Sequence, residues 1–171
     1  MKRFVDEHLA AFKETELKIL DLGSQDVNGT YKDLFQNKKW SYIGVDMVKG
    51  KNVDVVVRDI YDWKEFGSDS MDVVISGQAF EHIEFIWKTV LEVKRVMKPG
   101  GIGCLIAPSS GFEHRYPVDC WRIYPDGFRA LAKYASLEVL DVYMTDDELA
   151  RSVGEENVWK DTVLVFKKPN E

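Results

Sequence analysis

Short apolar runs, several rich in β-branched residues, alternate along this chain with segments whose apolar positions recur every three or four residues. That alternation predicts an α/β layer architecture around a largely parallel sheet, because parallel strands need crossover connections and the crossovers cover the sheet. Strands are expected at Leu17–Leu22, Tyr42–Asp46, Val53–Val57, Met71–Ser76 and Ile102–Ala107, then at Leu137–Tyr143 and Val158–Phe166. The Met71 run is continuous enough to suggest burial on both faces. An acidic connection, Asp146 to Asn157, joins the last two strands.

Between the strands, a short helix is expected near Thr30 to Gln36. A longer one should place Ile83, Ile86, Trp87, Val90, Leu91, Val93 and Val96 on its core face, with Lys88, Glu92, Lys94 and Arg95 mainly in solvent. Pro99-Gly100-Gly101 is expected to end that helix, and Pro125 to open another, since proline is tolerated in a first turn. No internal repeat and no low-complexity tract interrupts the pattern.

Composition narrows the class. A length of 171 residues predicts one domain over 1–171, with residues 1–16 as a short N-terminal helical segment. The net charge of −6 argues against a nucleic-acid partner, which calls for a basic face. No apolar run approaches the roughly 20 residues that span a bilayer, so no membrane partner is expected. The N-terminus carries acids before any apolar stretch develops, and Cys104 and Cys120 have no CxxC spacing. Both features predict a reducing, cytoplasmic setting and no zinc-type sequence pattern.

In an open parallel sheet, ligands bind beyond the carboxyl ends of the strands, where strand order reverses. The loop after the first strand, Asp21-Leu22-Gly23-Ser24-Gln25-Asp26-Val27-Asn28-Gly29, can turn sharply at its glycines and approach a ligand closely. Asp46, at the end of the second strand, is placed for the two hydroxyls of an adenosine ribose. A nicotinamide dinucleotide would use the same two features. The loop, however, lacks a full GxGxxG and puts Asp26 where a pyrophosphate needs bare amides, whereas an aspartate suits the sulfonium and ammonium of S-adenosylmethionine.

The ordered set Lys18 to Gly29, Tyr42 to Asp46, Arg58-Asp59-Ile60, Asp72 to Ser76, Glu81-His82-Ile83 and Lys98 to Gly101 resembles the motifs of class I S-adenosylmethionine-dependent methyltransferases, especially the type 11-like group. The resemblance implies a Rossmann-like, seven-stranded, mostly parallel sheet with its last strand antiparallel and helices on both faces. It implies S-adenosylmethionine as cofactor and S-adenosylhomocysteine as product. Asp21, Gly23 and Ser24 would shape the methionine pocket, Asp46 would bind the ribose, and Met47, Asp59 and Ile60 would surround the adenine. Gly77 and Gln78 would line the sulfonium side, with His82 near the mouth. The chain departs from the family at Gln25 and Asp26, where a further glycine is common.

Residues 108–124 exceed the usual limit of about 12 to 15 for a structureless connection, which marks a lid or binding loop. They resemble a subset of these enzymes with an H-x-Y-P-x-D-x-W-R-x-x-P pattern, associated with glycan or other secondary pathways. Arg115, Tyr116, Asp119, Trp121 and Arg122 are the substrate candidates, since arginines clamp anions and aromatic faces stack on sugars. Trp121 could equally anchor the loop while Asp119 and Arg122 pair with each other. His114, then His82, is the candidate base for an alcohol nucleophile. No metal is expected, because His82, His114, Asp119 and Cys120 show no ligand spacing.

The expected function is therefore methyl transfer to the oxygen of a small molecule, a sugar or small acid. Its rivals are a catalytically degenerate binding or regulatory module and an NAD-dependent oxidoreductase. Residues 1–16 are little material to roof the pocket, which leaves room for a homodimer in which a second copy completes it.

Overall fold

The computed structural model describes residues 1–145 and 159–170, so the acidic connection Asp146 to Asn157 lies outside the described residues. One seven-stranded sheet organises them: β1 Leu17–Leu22, β2 Trp40–Asp46, β3 Val55–Val56, β4 Met71–Gly77, β5 Met97–Pro108, β6 Glu138–Met144 and β7 Asp161–Lys167. Their spatial order is β3-β2-β1-β4-β5-β7-β6. The first five run parallel, and β7 inserts antiparallel to both β5 and β6. Strand order reverses at the β1/β4 junction, so the loops beyond β1, β2 and β4 converge there.

Alternate residues of the central strands feed two cores, as a period of two requires. Leu20, Val74, Leu105 and Leu164 face one side, where they meet α2 (Ile86–Val96) and α3 (Pro125–Tyr134) through Val90, Val93, Phe128 and Leu131. Ile19, Val73, Cys104 and Val165 face the other, covered by α1 (Lys2–His8) through Phe4 and by Phe35. Trp63, wholly buried under the first face, donates its indole N–H to the Ile60 carbonyl at 2.9 Å.

Five local expectations need correction. The Thr30 to Gln36 segment makes only a single 3-10 turn, Lys32–Phe35, and β3 shrinks to two residues because it is an outermost strand paired only to β2. The long helix begins at Ile86, since Phe80–His82 is spent in a 3-10 turn and Ile83 is extended. Trp87 and Leu91 flank its buried stripe and stay 38% and 42% exposed. Finally, α2 ends at Val96, ahead of Pro99, whose ring keeps Lys98 out of helical geometry. Lys98 to Gly101 bulges out of the β4–β5 register and is tied to the last strand by Gly100 N–H to Lys168 O, 2.9 Å.

Candidate functional site

At the carboxyl end of β1, Asp21 is 2% exposed and accepts the Tyr42 hydroxyl at 2.5 Å. Tyr42 stands opposite Ile19 in the parallel register, so its ring reaches the same face two residues further along β1. Burial pushes the Asp21 carboxyl up to about 7; the Tyr42 hydrogen bond opposes this and the nearby Asp46 carboxylate adds to it. Gly23 takes φ +77 and passes so close to the next loop that a Cβ would stand 2.4 Å from that of Ala79. Both reasons demand glycine there.

The rest of this loop is locked to the end of β2 and the loop that follows it. Ser24 Oγ donates to Asn52 O at 2.8 Å and Asn52 Nδ2 returns to Ser24 O at 3.0 Å, so the predicted pocket residue Ser24 is buried in a clamp between two loops. Asp46 accepts Gln25 N–H at 3.3 Å and Val48 N–H at 3.1 Å, using one oxygen for each. Asp26 is engaged by Lys51 and by Gly29 N–H at 3.0 Å, and the Lys51 ammonium holds its carboxyl below the usual range. Its charge is therefore balanced by the loop that follows β2. Among the described residues neither Asp21 nor Asp46 forms a salt bridge, which leaves two carboxyl groups without basic partners at the strand ends.

Met47 is half exposed beside Asp46. Asp59 accepts Tyr61 N–H at 2.8 Å and, with Arg58, Asp62, Lys64 and Glu65, borders a recess of about 300 Å³, while Ile60 packs against the core. Beyond β4, Gly77 lies against the Tyr31 ring, which a Cβ would meet at 2.3 Å. Gln78 is exposed at φ +58, its N–H bound to Ile106 O at 2.9 Å. A loop with a left-handed glycine, two unpaired carboxyl groups and an exposed Gln78 fits a cationic, ribose-bearing cofactor in its donor and acceptor chemistry.

The second half of the site joins the Phe80–His82 turn to the loop between β5 and α3. Glu81 O accepts Cys120 N–H at 2.7 Å, Trp121 Nε1 donates to Ile83 O at 2.9 Å, and His82 Nδ1 lies 2.6 Å from Val118 O. Arg122 grips Asp119 with two nitrogens at 2.6 and 2.8 Å and also donates to Phe112 O at 2.6 Å. Asp119 accepts His114 N–H at 2.7 Å as well, and the Arg122 guanidinium holds its carboxyl far below the usual range. Asp119, Arg122 and Trp121 thus brace the loop internally. Arg115 and Tyr116 remain exposed, Arg115 only against the exposed Glu113.

His114 and His82 meet with ring centroids 4.9 Å apart, and the Trp159 ring packs 4.5 Å from His114. Beneath them Glu81 is wholly buried, and neither carboxylate oxygen has a hydrogen-bond partner among the described residues. Burial raises its carboxyl to about 7. The sequence reading overlooked the Glu81 carboxylate, Tyr31, Tyr42, Asn52 and Trp159. Only Tyr42 left a usable signal, its place two residues before the β2 glycine on the Asp21 face.

The model of the methyltransferase domain family of type 11 matches residues 20–105, half of the chain. A search of curated proteins finds no matching sequence. Among solved structures, a Burkholderia thailandensis 1,6-didemethyltoxoflavin-N1-methyltransferase with bound S-adenosylhomocysteine superposes with TM-score 0.72 at 14% identity, covering 99% of this chain and 78% of its own. An S-adenosylmethionine-dependent methyltransferase from Archaeoglobus fulgidus follows at 0.69 and 17%, covering 98% and 92%. One from Methanosarcina mazei matches at 0.69 and 16%, covering 91% and 94%. At these identities the structural likeness establishes the fold alone.

Proposed function

The chain belongs to the type 11 group of class I S-adenosylmethionine-dependent methyltransferases, and from that premise we propose that it methylates an oxygen of a small molecule, a sugar or small acid. Membership sets aside the nicotinamide-dependent alternative. When bound, the cofactor supplies a methyl group already activated on sulfur. The residues proposed to hold it are Asp21, Gly23 and Ser24 for the methionine portion, Asp46 for the ribose, Met47, Asp59 and Ile60 for the adenine, and Gly77 with Gln78 for the sulfonium side.

The observation that carries the acceptor reading is the convergence of His82 and His114 from two different loops, beside an exposed Arg115 and Tyr116. Displacement at a methyl group needs alignment, exclusion of water and, for a hydroxyl nucleophile, a place for its proton. The Glu81–His82–His114 cluster supplies that place, His114 being the more accessible, and Arg115 and Tyr116 orient a polar acceptor. Asp119 and Arg122 act one step back by fixing the loop. The two free cysteines and the absence, among the described residues, of a helix able to cross a membrane support placing the activity in the cytoplasm.

The test is release of S-adenosylhomocysteine, by mass spectrometry, over a panel of sugars and small hydroxy acids. An oxygen-methylated product is expected, with turnover reduced at least tenfold in His114→Gln. Full turnover in both His114→Gln and His82→Gln, or a product methylated only on nitrogen, would overturn the acceptor chemistry. Calorimetry with S-adenosylmethionine and S-adenosylhomocysteine tests the degenerate alternative, which binding of neither would favour.

A further inference from the structure

We propose that Glu81, His82 and His114 form a binding site for a divalent transition-metal ion of the zinc class, open on one side for the acceptor oxygen. One ligand atom from each residue lies within 4.8 Å of the others, and Glu81 Oε1 stands 3.7 Å from His82 Nε2. A tetrahedral ion about 2.1 Å from each ligand sets its ligand atoms about 3.4 Å apart, so only a small inward movement is needed. Two histidines and one carboxylate are the donor set of catalytic zinc and non-haem iron(II) sites, and imidazoles select such ions over magnesium.

The buried carboxylate is the second, independent observation. Glu81 is 0% exposed, and among the described residues neither oxygen receives a hydrogen bond. A carboxylate buried without a hydrogen bond is strongly disfavoured unless it is protonated or paired with a cation. A cation between the histidines supplies the missing partner.

His82 is also prepared as a ligand. Val118 O, 2.6 Å from His82 Nδ1, accepts only if that nitrogen carries the proton, which leaves the Nε2 lone pair directed at Glu81. His114 Nδ1 lies 3.4 Å from Asp119 Oδ2 and equally 3.4 Å from Arg122 Nη2. The Arg122 contact is the one with hydrogen-bond geometry, and a guanidinium can only donate, so ligation through His114 Nε2 requires the ring to exchange that contact for an Nδ1–H donated to the neighbouring Asp119 carboxylate. Carbonyl and carboxylate acceptors behind ligating imidazoles are the usual outer shell of metal sites. His114 keeps 35% of its side chain exposed, so the ion can enter and retain an open coordination position.

This site rests on the acceptor reading above and replaces one part of it: with both imidazoles on the ion, the ion and not His114 activates the acceptor hydroxyl by lowering its pKa, and the proton leaves to water before the methyl is taken. The test uses the full, untagged chain stripped with a chelator. Titration with Co²⁺ should give visible absorption bands that saturate at one ion per chain, and equilibrium dialysis with Zn²⁺ the same stoichiometry. His114→Gln and His82→Gln should each weaken binding at least tenfold, while His8→Gln, on the N-terminal helix, leaves it unchanged. His114→Gln is the partly exposed site, so its folding, checked by circular dichroism, guards against a trivial loss. Absence of stoichiometric binding, binding unchanged in both variants, or full methyl transfer by the metal-free chain overturns the proposal. The last result would leave the oxygen-methylation reading intact, whereas metal binding without transfer to any oxygen would remove that reading and keep the site.

Discussion

The two halves of the site are built on opposite principles. Around β1 and β2 the polar groups are largely closed upon one another: Ser24 with Asn52, Asp26 with Lys51, Asp46 with two backbone N–H groups. Only Asp21 keeps an awkward position, buried with a single hydroxyl for company. Around Glu81 and residues 109–124 the bracing is equally dense, yet it encloses a carboxylate that has no hydrogen-bond partner among the described residues and leaves two histidine rings edge to face. The first half is a finished cradle whose shape is held by backbone. The second is a rigid frame around groups whose hydrogen-bonding capacity is unspent, and unspent buried capacity is where chemistry is expected.

The comparison breaks most visibly if the frame of the second half is removed. Asp119→Ala leaves Arg122 with an uncompensated, largely buried guanidinium and releases His114 N–H, so about 4 kcal/mol of local stability is lost. Hydrogen exchange should show residues 112–122 opening, and turnover should fall while affinity for S-adenosylmethionine holds. Equal loss of cofactor affinity would mean that the two halves are one unit.

The next effect tests the first half through pH. Asp21 titrates at about 7 in the fold and near 3.8 when unfolded, so the folded state binds more protons between those values. Stability of the cofactor-free chain should therefore fall as pH rises from about 4 to about 7, by on the order of 3 kcal/mol from this group. Burial sets this shift, the Asp46 carboxylate adds to it and the Tyr42 hydroxyl that donates to Asp21 opposes it. Asp21→Asn should flatten that slope in thermal unfolding followed across the interval; an unchanged slope assigns it elsewhere.

Smallest is Gly23→Ala, at about 2 kcal/mol, since the residue sits at φ +77 and its Cβ would collide with Ala79. Because Ala79 directly precedes the Phe80–His82 turn, the strain has a path to the second half. Cofactor affinity measured by calorimetry should drop, with turnover at saturating cofactor falling much less if the halves are independent.

Much of this was legible in the chain. Both faces of the central strands are buried, so their apolar runs are long and unambiguous, and the ordered motifs from Lys18 to Gly101 named the family. Asp21, Gly23 and Asp46 could be located because a parallel sheet puts its ligands at strand ends, a rule that needs only the strands. The start of α2 was misplaced because Ile83 has helical spacing but is drawn into an extended link, where Trp121 anchors on its carbonyl.

The sequence by itself determined the sheet, the order of its motifs and the place of the cofactor cradle, because those follow from local periodicity and from residues close together in the chain. Only the tertiary structure decided what Glu81, His82 and His114 are to each other. Spacing offered no ligand pattern, since the third residue arrives from another loop, 32 positions on, and is held by Asp119 and Trp159. It likewise decided that Asp119 and Arg122 hold one another, for outside a helix three-residue spacing does not bring two charges together, and here the loop folds back and withdraws Asp119 from water.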